Sequence, residues 1–206
     1  VPADQIAPEP QLDGRTRRSL RTREAIVDAT IELIERGDLR PTAPRVAEAA
    51  GVSVRSIFQH FDDLATLHAG IAERLVERVA MLIVPIPAEL PLAERLARFV
   101  HQRGLLLEAV SPIRRAADVH GPFSEEITAR LRDGQAYLRA EVEATFRPEL
   151  ARAHEQSPGV AAQGLDALDA AFSWTTWERL RVGLGRTVPD SEGVLVRLAD
   201  GVLAGL

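Results

Sequence analysis

The chain has 206 residues, 46% of them hydrophobic, no Cys, and a formal charge of −5. That inventory supplies a real apolar core and excludes disulfides, thiolate nucleophiles and Cys-containing zinc sites, and the lack of Cys fits a reducing compartment. The longest apolar run, VAMLIVPIPA at 79–88, is too short to span a bilayer and holds two prolines, and the N-terminus shows no signal-peptide hydrophobic region, so a cytoplasmic protein without a membrane partner is expected.

Neither Lys nor Asn occurs, so all 25 basic side chains are Arg and only their clustering is informative. Residues 14–60 hold nine Arg against six acids, whereas the first thirteen residues hold three acids and no base. A basic block therefore precedes an acidic body. Five of those nine Arg lie in RTRRSLRTR, 15–23, which reads either as a phosphate-binding arm or as a solvated face.

Residues 1–14, with three prolines and no periodicity, are expected to form a disordered tail. Ile26, Ala29, Thr30, Leu33 and Ile34 then repeat at helical spacing, predicting a helix from about Leu20 to Arg36 stopped by Gly37. Thr42 as N-cap and Pro44 in the first turn open a second, short helix with Val46, Ala47 and Ala50 inward, ended by Gly51. Ser53 caps a third, with Val52, Ile57 and Phe61 inward and Val54, Arg55, Ser56, Gln59 and His60 outward. Leu64, Leu67, Ile71, Leu75 and Val79 pattern a long connecting helix, and PIPAELP, 85–91, is a break.

Beyond it a helix is predicted from Leu92 to about Val110, interrupted by Ser111 and Pro112, followed by a short segment to His120. Ser124 opens another ending at Pro148. Ser157 and Pro158 start one carrying Leu165, Leu168, Phe172 and Leu180, and the last spans about Asp190 to Leu206 with Leu195, Leu198, Val202 and Leu206. No run alternates at period two. The fold class is all-α, with an N-terminal three-helix helix-turn-helix domain over 15–67 and a larger helical domain over 68–206.

Two short helices joined by a Gly-containing turn, the second exposing polar side chains, can place a helix in the DNA major groove; spacing alone fits an ordinary helical hairpin equally well. In the groove, Ser53 would approach phosphates while Arg55, Ser56 and Gln59 reach base edges or the backbone. TREAIVDATIELIERGDLRPTAPRVAEAAGVSVRSIFQHFDDLATL, 22–67, resembles the DNA-binding domain of the TetR family of bacterial transcriptional regulators, most strongly in GVSVRSIFQHF, and LDALDAAFSWTTWERLR, 165–181, is similar to a segment of some members. The resemblance implies a homodimer whose last two helices pair across a two-fold axis, a double-stranded DNA operator, and release by a small molecule. It gives Thr42, Arg45, Ser53, Val54, Arg55, Ser56, Phe58, Gln59 and His60 as the DNA-binding set. Three positions depart from the family. Phe58 stands where a Tyr often contacts phosphate, so it is expected to serve packing; Leu64 replaces a frequent Lys; and Arg45, at a position often acidic or small, either compensates together with the arginine arm or, like that arm, is simply solvated.

Five His, at 60, 68, 101, 120 and 154, show no HxxxH spacing, Asp118 with His120 reads as a surface pair, and no nucleophile motif or phosphate loop occurs, so neither an enzyme, a metal nor a cofactor is expected. Phe99, His101, His120, Tyr137, Phe172, Trp174 and Trp177 are the candidate ligand-binding residues, an apolar lining with a few polar groups, or else plain core. Leu165, Leu168, Phe172, Leu195, Leu198 and Val202 are the candidate dimer interface. The expected function is that of a ligand-responsive homodimeric repressor; the competing one, motivated by Phe58 and Leu64, is a helical adaptor without specific DNA recognition.

Overall fold

A computed structural model describes residues 13–206, and among these every regular element is helical. No helix is long and apolar enough to cross a membrane. The chain divides into two compact units, the first extending to Ile71 and the second from Ala72 to Leu206.

In the first unit α1 spans Gly14–Glu35. The Asp13 carboxylate caps it, accepting from the Thr16 N–H at 2.7 Å, so the helix starts six residues before the predicted Leu20 and RTRRSLRTR is helical rather than a free arm. Arg and Leu are good helix formers, and the capping Asp supplies the start that apolar periodicity alone does not mark. Of the expected tail, Asp13 and Gly14 open this helix, and 1–12 lie outside the described residues. Ile26, Val27, Ile31 and Ile34 are buried on the inner face of α1, and the Thr30 hydroxyl donates to the Ile26 carbonyl at 2.7 Å. Gly37, at φ 96°, ends the helix as predicted, since only a residue without Cβ turns left-handed cheaply there.

Helix α2, Ala43–Ala50, follows an extended Thr42 that makes no side-chain capping bond, so Pro44 in the first turn is the stronger start signal. Val46 and Ala47 are buried against α1. Gly51, at φ 66° and ψ 32°, turns the chain into α3, Val54–His60, whose first turn is held by Ser53 Oγ accepting from the Ser56 N–H at 3.1 Å. Ile57 and Phe61 anchor α3 inward, and the Arg23 guanidinium stacks on the Phe61 ring, 5.1 Å from its centre. Helix α4 runs Leu64–Ala80, and its last turns belong to the second unit.

The second unit comprises α5 (Leu92–His120), α6 (Glu125–Thr145), α7 (Arg147–Gln156), α8 (Pro158–Ala171), α9 (Trp174–Glu178) with a π-helical turn over Arg179–Gly183, and α10 (Val188–Leu203). One predicted break is absent and one break that was not predicted is present. Helix α5 runs through Pro112, although an interior proline removes a hydrogen bond and costs roughly 3 kcal/mol. Leu106, Leu107, Ile113 and Ala116, buried on both sides of it, outweigh that cost, and the Ser111 hydroxyl donates back to the Leu107 carbonyl at 2.6 Å. Conversely the helix expected to continue from Pro158 to Leu180 breaks at Phe172. Ser173 starts α9 by accepting from the Thr176 N–H while its hydroxyl donates to the Ala170 carbonyl, a local alternative to the helical ladder.

Phe99, Phe146 and Phe172 form the centre of this core, with ring centroids 4.8 to 6.0 Å apart, and Leu107, Leu168, Trp177, Leu195 and Leu203 pack around them. One ion pair is buried beside it. Arg95 and Glu149 pair bidentately at 2.6 and 2.9 Å, and the guanidinium also donates to the carbonyls of Leu90 and Thr145. It thereby ties the start of α5 to the α6–α7 junction.

Candidate nucleic-acid interface

With Ile57 facing the core, the helical rotation of about 100° per residue divides the seven residues of α3 into rows. Arg55 and Gln59, one turn apart, point away from the core and are exposed. Val54 and Phe58 form a flanking row on one side, 38% and 65% exposed. Ser56 and His60, half-buried, form the other, where the hydroxyls of Ser53 and Ser56 lie 2.9 Å apart. The Ser53 cap and the inward Ile57 and Phe61 hold this arrangement. Among the described residues Arg55 has no ion-pair partner, so its full set of donors is open.

One sequence expectation changes here, and a second residue gains a partner. Phe58 does not serve packing: two-thirds of its surface is open. Arg45, although exposed, pairs with Asp38 at 2.5 Å across the α1–α2 connection, a partner that the sequence reading did not give it. Thr42 is exposed and immediately precedes α2. Leu64 is 47% exposed at the start of α4, and Arg15, Arg18 and Arg21 are exposed on α1. The sequence leaves this last group open between a phosphate-binding arm and a solvated face, and the structure places it on a helix.

The seven candidate ligand-binding residues do not form one set. Phe99, Phe172 and Trp177 are core, each at most 2% exposed, and the Trp177 indole donates to Glu108 at 2.8 Å. His101 and Tyr137 face solvent, His101 with its Nδ1 3.2 Å from Glu192. Trp174 is half-buried, donating to the Ser111 hydroxyl with the Arg114 guanidinium stacked on its ring, and His120 closes α5. Aromatic identity alone does not separate these environments. Around Glu108 lies a polar cluster that the sequence does not mark: Arg181 also binds its carboxylate, at 2.8 and 3.1 Å, and donates to the Arg186 carbonyl. These bonds, Arg181 first, hold the Glu108 carboxyl below the usual carboxylate range.

The candidate interface residues likewise divide. Leu168, Phe172 and Leu195 are buried in the chain's own core, at 0, 1 and 0%, and have no surface to offer a partner, a correction to the expected set. Leu198 is 43% exposed, Leu165 and Val202 are half-buried, and Val160, absent from the expected set, is 42% exposed on α8. On α10 the inward residues are Leu195, Ala199 and Leu203, so Leu198 belongs to a different stripe from Leu195 despite the near-heptad spacing.

Residues 26–67 match the family model of bacterial regulatory proteins, tetR family. No curated protein sequence matches the chain. Among solved structures, a transcriptional regulator from Rhodococcus sp. Rha1 superposes with a TM-score of 0.64 at 18% identity, covering 91% of this chain and 96% of that one. A TetR transcription regulator from Haloarcula marismortui gives 0.62 at 20% identity, covering 87% and 97%. A TetR family transcriptional regulator from Pseudomonas syringae pv. tomato gives 0.52 at 21%, covering 94% and 97%. At these identities the superpositions establish the fold, and the family match falls on the helix pair that carries the capped, outward-facing Arg55 and Gln59. The likeness to the tetR family thus lies in residues 26–67, and over the whole chain the likeness to these solved regulators is one of fold.

Proposed function

We propose that the chain is a homodimeric repressor that reads an inverted-repeat operator through α3 and releases it when a small molecule binds the helical second unit. The observation that carries this reading is the Arg55–Gln59 row, exposed on a short helix whose inner face and first turn are both fixed. Arg matches guanine O6 and N7, and Gln matches adenine N6 and N7. Seven residues touch too few base pairs to be selective, so two copies reading two half-sites are the physical solution, and the apolar surface left on Val160, Leu198 and Val202 supports pairing through α8 and α10. A ligand that prefers one spacing of the two reading heads shifts the population toward it.

The adaptor reading draws on the exposed Phe58 and Leu64. Selection of bound duplexes from random and genomic DNA separates the two. A shared inverted repeat supports the repressor reading, and no enrichment at moderate salt supports the adaptor.

A further inference from the structure

Val54 and Phe58 are one helical turn apart on α3, both exposed, and lie directly beside the Arg55–Gln59 row. An apolar row in that position has a cost in water and is left uncovered within the unit. We propose that Val54 and Phe58 read the 5-methyl groups of thymine, so that each half-site carries thymine within or beside the base pairs hydrogen-bonded by Arg55 and Gln59. This inference rests on the proposed DNA-reading role of α3. The major groove edge of an A·T pair presents the adenine N6/N7 pair and, beside it, the thymine O4 and methyl group; a Gln that takes the first brings a flanking apolar side chain to the second.

The width of the row favours this occupant over a protein. It is two side chains long, bounded outward by Arg55 and Gln59, and a stable protein interface needs on the order of 800 Å² per partner. A methyl group needs a single side chain. The exposed Arg15, Arg18 and Arg21 in the same unit suit a polyanion as well.

The test uses the full chain and duplexes selected from a random library. In the selected operator each thymine is replaced in turn by deoxyuridine, which removes only the methyl group. Burying one such group is worth roughly a fourfold change in affinity, so a reduction of about that size is expected at one or two positions of each half-site. That reduction should vanish in Phe58→Ala or Val54→Ala protein. Both side chains are at the surface, so neither variant threatens folding, and the wild-type measurement requires no variant. Unchanged affinity at every deoxyuridine position, or a sensitivity that persists in both variants, overturns the proposal while leaving DNA reading intact. Failure to select any duplex overturns both.

Discussion

Replacing Leu198 with Glu separates dimerisation from DNA contact. In a single chain Leu198 is 43% exposed while its neighbours Leu195 and Ala199 are fully buried, so the substitution leaves the protomer's own core untouched. Full burial of a Leu side chain is worth about 1.5–3 kcal/mol, so the exposed share contributes about 1 kcal/mol per protomer and about 2 kcal/mol per dimer. The new carboxylates add a penalty of at least about 1 kcal/mol each, since a desolvated acceptor without a partner is not repaid. The total is no less than about 4 kcal/mol, close to a thousandfold in the dimer dissociation constant. Sedimentation velocity over a concentration series measures this directly, with circular dichroism and thermal unfolding as controls that the protomer still folds. The expected result is a folded monomer that no longer binds the operator although Arg55 and Gln59 are intact. A Leu198→Glu protein that stays dimeric and binds normally would refute the placement of the interface on the outer stripe of α10.

The exposed Arg cluster on α1 predicts a salt effect: changing Arg15, Arg18 and Arg21 to Ser should weaken binding to all duplexes and lower the slope of log affinity against log salt by about 0.9 for each phosphate no longer neutralised, and an unchanged slope makes the cluster a solvated face. Glu149→Gln should destabilise the second unit by about 3–5 kcal/mol, because it leaves the Arg95 charge buried and unmatched, and thermal unfolding should fall by about 10 °C. The pH dependence follows in sign. Burial pushes the Glu149 carboxyl up, the Arg95 hydrogen bonds outweigh it, and the group is held below the usual carboxylate range. Its contribution is thus complete above the ordinary carboxylate pKa and disappears as pH falls through the lower folded value; Glu149→Gln should lack this acid-range decline, and a variant with the same acid profile as the parent would remove Glu149 from the account.

The helix pair was legible because its signals are local. Gly51, Ser53 and the Ile57–Phe61 spacing each dictate a backbone or burial state within a few residues, and all three are found in those roles. What the sequence hid depends on packing between distant residues. Pro112 reads as a break until the buried residues on either side are known to hold the helix, and Ser173 gives little sign that its hydroxyl will take the Ala170 carbonyl. Leu195 and Leu198 look equivalent by composition and spacing, yet only packing against α5 and α8 decides which is core. Arg45 illustrates the same limit for charge: its partner Asp38 is seven residues earlier, across a non-helical connection where no helical spacing rule applies, and the pairing exists only because that α1–α2 connection folds back.

If the outward row of α3 reads bases, Arg55→Ala should remove one of its two hydrogen-bonding side chains without disturbing the fold. Arg55 is exposed, so the variant should unfold at the parent temperature. Measured on the selected operator and on an unrelated duplex at the same salt, it should forfeit about 1–3 kcal/mol of operator affinity and relax selectivity at one base pair of each half-site, with a smaller change on the unrelated duplex. Equal changes on both duplexes would make Arg55 a phosphate contact, and unchanged affinity on the operator would contradict the assignment of α3 as the reading element.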